Sequence, residues 1–345
     1  VSISKLAAAA AATFVILGGV SACSGSESDG NGADNGGAEN QAAELVEEGA
    51  LPATIEHKFG ETTVEEAPAR VVTLGYTDQD AVLALGVTPV AVRYWDGMAP
   101  EGQAAGDWAA DKITGEQPES YDAEDIEPEK VAAMRPDLII ATYSGIDQGT
   151  YDELSKIAPV IAQQGEFEDY QQPWDVTTAQ IGAALGQPDK ADELVNGVKD
   201  KMSGLAEKHP EWAGKSATIA TYDGERLTAF ASKDPRQQFF TALGFAATPE
   251  PDAAAGDKFY GEFSKEEARK INADVVVWDQ LSYAPEGRAT VENEPAFANL
   301  PAMENGNTLY LEDELEKAFG WQTVLSLDYV LDNIEGPLSA AVEGK

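Results

Sequence analysis

Cysteine occurs once and histidine twice in 345 residues. A single cysteine excludes an internal disulfide and any C-x-x-C redox or zinc motif. His57 stands in an expected hairpin, E-H-K-F-G-E-T-T-V, and His209 precedes Pro210 at a helix end. Neither has a metal-ligating neighbour in sequence, so both are expected to be structural or exposed and no resident metal is expected. Also missing are the G-x-S-x-G elbow, a G-x-G-x-x-G turn after a strand, a P-loop and H-E-x-x-H. An enzyme built on two carboxylates facing one cleft stays open, although no spacing singles out such a pair. Base is scarce: 23 Lys and Arg stand against 61 Asp and Glu, a formal net charge of −38. Nucleic acid is therefore an unexpected partner. Without disulfides, a large apolar core must carry the stability.

The N-terminal stretch carries one charge, Lys5, then a run of apolar and small residues from Leu6 to Val20, then Ser21-Ala22-Cys23. This order predicts a secretory signal peptide over 1–22. The run is shorter than the ~20 apolar residues a membrane-spanning helix needs. Val20-Ser21-Ala22-Cys23 resembles the bacterial lipobox, which makes Cys23 the expected lipidation site and the outer face of the cell membrane the expected location. Two or more acyl chains hold a protein at a bilayer. Residues 23–50, rich in Gly, Ser, Asn and acid, are expected to be a flexible acidic linker. Removing 1–22 leaves 22 basic and 61 acidic residues, a net charge of −39.

The remaining length exceeds what one core usually spans, which predicts two lobes. R-V-V-T-L-G (70–75), D-Q-D-A-V-L-A-L-G (78–86) and T-P-V-A-V (88–92) read as strand, helix, strand. E-P-E-K-V-A-A-M-R-P-D-L-I-I-A-T-Y (127–143) reads as a short helix and a buried strand. The second half repeats this grammar in S-A-T-I-A-T-Y (216–222), R-L-T-A-F-A (226–231), P-R-Q-Q-F-F-T-A-L-G-F (235–245), S-K-E-E-A-R-K-I-N-A-D-V-V-V-W (264–278) and N-T-L-Y-L (307–311). A closing helix is expected from roughly Gln322 to Ile334. Glu129 lies eight residues before Asp137 and its strand, and Glu266 lies eight before Asp274 and its strand, so the halves are expected to be copies of one α/β plan. Continuous apolar strands between helices imply mainly parallel sheets covered on both faces. Residues 172–209 are helical in period and long enough to cross between lobes, with Pro188 expected to start a new turn or kink the helix. The expected lobes are 51–170 and 210–345, with 171–209 connecting them.

Open α/β sheets bind ligands beyond the carboxyl ends of their strands. Those ends are aromatic here: Tyr76, Tyr94 with Trp95, Tyr143, Tyr222 and Trp278, with Arg93, Arg226 and Arg288 nearby. A cleft gathering rings and guanidinium groups suits a bulky, flat or anionic ligand. Each ring taken alone can equally cap the core of its own lobe.

The hairpin H-K-F-G-E-T-T-V leading to P-A-R-V-V-T-L (57–74), A-L-G-V-T-P-V, and E-K-V-A-A-M-R-P-D-L-I-I (129–140) carry a further signal. So do I-G-A-A-L-G and K-A-D-E-L (181–194), D-P-R-Q-Q-F-F-T-A-L-G-F (234–245) and A-F-G-W-Q-T-V-L-S-L-D-Y-V-L-D (318–332). In this order they resemble the iron-siderophore substrate-binding proteins of ABC importers, over about residues 54–335. The resemblance implies two Rossmann-like lobes joined by a single long helix. It implies binding without catalysis, and delivery of a ferric siderophore by a monomer to a membrane permease driven by a cytoplasmic ATPase. The ligand's own oxygens would fill most or all of the iron sphere, so no intrinsic cofactor is implied. One acid on each lobe, Glu129 and Glu266, would meet permease arginines. Family members vary in the pocket to suit different siderophores; the residues expected to meet the ligand here are Tyr76, Arg93, Tyr94, Trp95, Tyr143, Tyr222, Arg226, Trp278, Tyr283 and Trp321. A haem or cobalamin carrier of the same fold is the alternative, against which the lack of a placed axial histidine argues. The −39 charge opposes a highly anionic ligand at long range. A single connecting helix predicts a small closure on binding.

Overall fold

Hydrophobic strands too short to form a sheet alone are assembled here by helices on both sides. The computed structural model describes residues 42–94, 103–122 and 125–345. The expected signal peptide, Cys23, most of the linker and Trp95 lie outside them, and Tyr94 is described by its backbone only. An antiparallel hairpin opens the folded part, β1 (Ala53–His57) with β2 (Gly60–Val64). The first lobe then holds β3 (Val71–Thr73), β4 (Ala91–Tyr94), β5 (Glu119–Asp122), β6 (Leu138–Ala141) and β7 (Val160–Ala162). Their order is β5-β4-β3-β6-β7, with every pair parallel. Val71-Val72-Thr73, Leu138 to Ala141 and Val160 to Ala162 are buried throughout, so both sheet faces must be covered. The order reverses between β3 and β6, where an open α/β sheet leaves a crevice.

The second lobe holds β8 (Ser216–Tyr222), β9 (Leu227–Phe230), β10 (Ala246–Ala247), β11 (Tyr260–Phe263), β12 (Val275–Trp278) and β13 (Thr308–Tyr310), in the order β11-β9-β8-β12-β13. β10, β12 and β13 run parallel to β8, β9 runs antiparallel to it, and β11, antiparallel to β9, runs with β8 again. The second sheet is thus mixed, where the sequence predicts a mainly parallel one. The Asp223–Arg226 turn folds the chain straight back from β8 into β9, and only antiparallel pairing permits so short a connection.

The two lobes begin alike. Asp137 accepts from the backbone N–H of Ala69 and Arg70 at 2.9 and 2.8 Å, pinning the start of β6 to the start of β3. Asp274 accepts from the N–H and hydroxyl of Ser216 at 2.7 and 2.9 Å, pinning β12 to β8 in the corresponding register. Val71 faces Leu138 as Ala217 faces Val275. Glu129 and Glu266 each occupy the second position of the helical segment before those strands, Pro128–Ala133 and the 3-10 stretch Lys265–Ile271.

The connection is two helices rather than one. Trp174–Ala184 ends at Gly186, whose φ of +69° a side chain would resist, and Pro188 opens a second helix that runs to Lys208. The second is 21 residues, about 30 Å at 1.5 Å per residue. Ala191, near its start, packs in the first lobe's core; Val198, Met202 and Leu205 pack in a core continuous with the second sheet. The closing helix spans Val324–Glu343, beyond the expected stop at Ile334. Gly336-Pro337 does not end it, because Leu338 and Ala341 are buried and Asn307 donates to the carbonyls of Ala341 and Val342. Tertiary packing outweighs local propensity there. This helix also lies on the first-lobe helix Asp78–Ala84, so Leu83, Ala105 and Trp108 share its core.

Candidate functional site

Asp78 organises the switch point of the first lobe. Its helix starts after Thr77, and the Asp78 carboxylate accepts from the N–H of Gly75 at 3.1 Å, of Thr142 at 2.9 Å and of Tyr143 at 3.1 Å. The Thr142 hydroxyl adds a fourth bond at 2.6 Å. One side chain therefore ties the loop after β3 to the loop after β6. A Cβ on Gly75 would collide with this carboxylate, which is the reason for glycine there. Burial pushes the Asp78 carboxyl up to about 6, although the four hydrogen bonds pull it down.

The tied loops present Tyr76 and Tyr143. Tyr170, from the loop after β7, joins them: its ring lies 6.3 Å from Tyr76, stacked, and 5.2 Å from Tyr143, edge on. Its hydroxyl donates to the Ser144 carbonyl at 3.1 Å over Gly145, where a Cβ would meet the Tyr170 ring. Opposite them the second lobe presents Arg226, Phe230, Arg236, Tyr260 and Tyr283, and Trp321 closes the base. Between the walls lie two adjoining cavities of about 440 and 720 Å³. They share Thr77, Tyr143, Tyr170, Arg236, Tyr260, Gly320 and Trp321, and so form one cleft. Volumes of this order suit a ligand of several hundred daltons. Five non-glycine residues among those described have left-handed backbone, and Tyr170, Gln280 and Gln322 of these line the cleft. Such strain is held only where surroundings fix it, and it gathers at binding sites.

Of the sequence-derived set, Tyr76, Tyr143, Arg226, Tyr283 and Trp321 face this cleft. Arg93 does not line it. It is 4% exposed beneath Tyr76, donating to the Tyr76 hydroxyl at 2.7 Å with its guanidinium 4.1 Å from the ring centre. Trp278 is fully buried in the second lobe's core, 5.1 Å from Phe297, because the continuous run of β12 puts its last side chain under the sheet. Tyr222 packs edge on against the same phenylalanine, with its hydroxyl on the Gly224 carbonyl and the Glu294 carboxylate. These two rings serve the core of their own lobe. Arg288 likewise lies away from the cleft, over Tyr310 and paired with Glu292 and Glu312. Glu129 and Glu266 are exposed, and neither holds an ion pair among the described residues.

Arg236 is the site residue that reading strand ends overlooks. In Asp234-Pro235-Arg236, Asp234 caps the helix Pro235–Ala242 by accepting from the Arg236 N–H at 2.9 Å, and Pro235 takes the first helical position. The Arg236 side chain folds back so that Nε and Nη2 donate to the two Asp234 oxygens at 2.9 and 3.1 Å. Its guanidinium lies 3.6 Å from the Phe230 ring centre, and Nη1 is 3.8 Å from Asp279. Asp279 is fully buried, without a well-formed side-chain hydrogen bond among the described residues. Burial pushes its carboxyl up to about 7, against the pull of Arg236. The D-P-R signature of a capped helix entering the cleft was available in the sequence.

Behind the cleft the lobes are fastened. The Trp108 indole and the Thr323 hydroxyl both donate to Asp80, at 2.8 and 2.5 Å. Thr323 caps the closing helix, and burial raises the Asp80 carboxyl to about 6. His57 bonds Thr62 and is pushed down by burial, while His209 stacks on Trp212 between Glu211 and Glu335. No group of three or more His, Cys, Asp or Glu among the described residues is placed to hold a metal.

Two α/β lobes with a ligand-sized cleft at their strand ends, and a stiff helix between them, define a binding protein. The chain belongs to the periplasmic binding protein family, which it matches over residues 71–315. It is 29% identical over 261 residues to the Fe(3+)-citrate-binding protein YfmC of Bacillus subtilis, covering 73% of this chain and 76% of that one. It is 25% identical over 331 residues to the probable siderophore-binding lipoprotein YfiY of the same organism, covering 92% and 93%. Among solved structures, Streptococcus pneumoniae PiaA in complex with ferrichrome superposes with a TM-score of 0.70 at 28% identity, over 85% of this chain and 99% of that one.

Proposed function

We propose that this chain is the extracytoplasmic receptor of an iron-uptake ABC importer, and that it takes up a ferric siderophore in the cleft between its lobes. The observation that carries this reading is the cleft wall itself. Tyr76, Tyr143 and Tyr170 face Tyr260, Tyr283 and Trp321 across a space of ligand size, in a family whose relatives above are named for ferric complexes. Rings supply broad contact at little entropic loss, and hydroxyls supply hydrogen bonds to chelator oxygens. The ligand brings the iron and its oxygens, so the protein needs no ligating cluster of its own.

In this reading Glu129 and Glu266 dock on permease arginines. Both are exposed at the same position of the two repeated segments, as a symmetric partner requires. A lipid on Cys23 would tether the receptor to the outer face of the membrane. The helix Pro188–Lys208 and the Asp80 fastening oppose a wide hinge, so closure on binding is small.

A thermal-shift assay tests the proposal: Tm rises with at least one ferric siderophore of the hydroxamate, catecholate or citrate type and not with free Fe³⁺. An unchanged Tm across all three would overturn it. Charge reversal of Glu129 together with Glu266 abolishes uptake and leaves ligand affinity intact; lost affinity would place those residues in the cleft.

A further inference from the structure

The cleft wall carries charge of both signs, and the cations are already engaged. Four basic side chains line it: Arg226, Lys233, Arg236 and Lys317. Arg226 is paired with Asp223 at 2.8 Å, Arg236 with both oxygens of Asp234, and Lys317 with Glu314 at 3.7 Å. Lys233 donates to the Gly256 carbonyl at 3.3 Å. Five acids line the same two cavities: Asp169, Asp223, Asp234, Glu262 and Glu316. Five acids stand against four bases, and Asp169 is itself paired with Lys58 at 2.6 Å, so the lining carries no excess of positive charge.

A site made for a trianionic complex needs several cations that lack carboxylate partners, because desolvating several negative charges beside Asp234 and Glu262 is unfavourable, and among the four lining cations Lys233 alone has a carbonyl in place of a carboxylate. The aromatic share of the wall points the same way, since rings favour a weakly hydrated surface. We propose, resting on the reading of this chain as a ferric siderophore receptor, that the cleft selects complexes of zero or positive net charge. Its ligand class is then the tris-hydroxamate, in which three monoanionic chelating groups cancel the charge of Fe³⁺. Arg236 serves such a ligand as a hydrogen-bond donor: Asp234 fixes its orientation and neutralises its charge, and Nη1, 3.8 Å from Asp279, is left to reach a ligand oxygen.

The test is a fluorescence-quenching titration of the full chain at pH 7.4 with ferrichrome, ferric dicitrate and a ferric tris-catecholate, in 50 and 500 mM NaCl. Ferrichrome is expected to bind at least about 30-fold tighter than either anionic complex, with an affinity that salt hardly alters. Tighter binding of an anionic complex would overturn the proposal while leaving the receptor reading intact. Failure of all three to bind would remove the receptor reading as well. Glu262→Gln with Asp223→Asn, both in the cleft wall, is expected to narrow the preference for ferrichrome over the anionic complexes about tenfold. An unchanged ratio in that variant would show that charge does not set the preference.

Discussion

The two lobes start from the same device and finish differently. At the amino ends of the strands, Asp137 and Asp274 each pin a neighbouring strand with two hydrogen bonds, Asp137 from the N–H groups of Ala69 and Arg70 and Asp274 from the N–H and hydroxyl of Ser216. At the carboxyl ends, Asp78 of the first lobe receives four hydrogen bonds, whereas Asp279 of the second has one guanidinium 3.8 Å away. The first lobe's rim is therefore fixed by a satisfied carboxylate, and the second lobe's rim rests on a carboxylate that burial disfavours. A duplicated plan keeps its register where strands begin and diverges where ligands are met, since only the ends facing the cleft are free to change without unpicking a sheet.

The largest effect should come from the satisfied side. Asp78→Ala strands three buried backbone N–H groups and a hydroxyl, and should lower stability by about 3 kcal/mol or more, measured by urea unfolding. A loss under about 1 kcal/mol would show that the rim does not depend on it. Asp80→Ala, which removes the acceptor of Trp108 and Thr323 but also a buried charge, should cost less, about 1–2 kcal/mol. Chevron and scattering measurements on that variant should show faster unfolding and a slightly larger radius without ligand.

The smallest effect is expected from Asp279→Asn, and its size depends on pH. A carboxyl raised to about 7 in the folded state stays protonated there while the unfolded chain has already lost its proton. The unfolded state then binds fewer protons, so stability present below the ordinary Asp range is lost as pH rises to about 7. Asp78 and Asp80, raised to about 6, lose stability over the lower part of that interval. The native chain should melt lower at pH 8 than at pH 5.5. Asp279→Asn should raise the melting temperature at both pH values but more at pH 8, recovering about 2–4 °C of that fall. Equal melting shifts at both pH values would mean that Asp279 is ionised throughout.

Much of the fold was legible because buried parallel strands must be apolar end to end, as in Leu138–Ala141 and Val275–Trp278. The repeat was legible through the spacing of Glu129 to Asp137 and Glu266 to Asp274. The mixed second sheet was harder to read, because Tyr260–Phe263 alternates burial like any surface segment and only its pairing with β9 makes it a strand. At the site, aromatic type and strand-end position singled out Tyr76 and Tyr143, which line the cleft, but could not say which way each ring turns. Trp278 and Tyr222 turn inward to Phe297, and Arg93 turns under Tyr76. Tyr170 went unseen because it follows Val160–Ala162, a strand too short to read from its pattern.

Asp80 and Thr323 are 243 residues apart in sequence, yet they share one hydrogen bond behind the cleft. The first lobe cannot cover Leu83 and Trp108 until residues 323–343 have been made and have returned to it. Loop-closure entropy over that separation is met before any contact repays it, so the lobe's last face stays open and sticky for most of synthesis. Completion of the first lobe therefore waits on the last element of the chain.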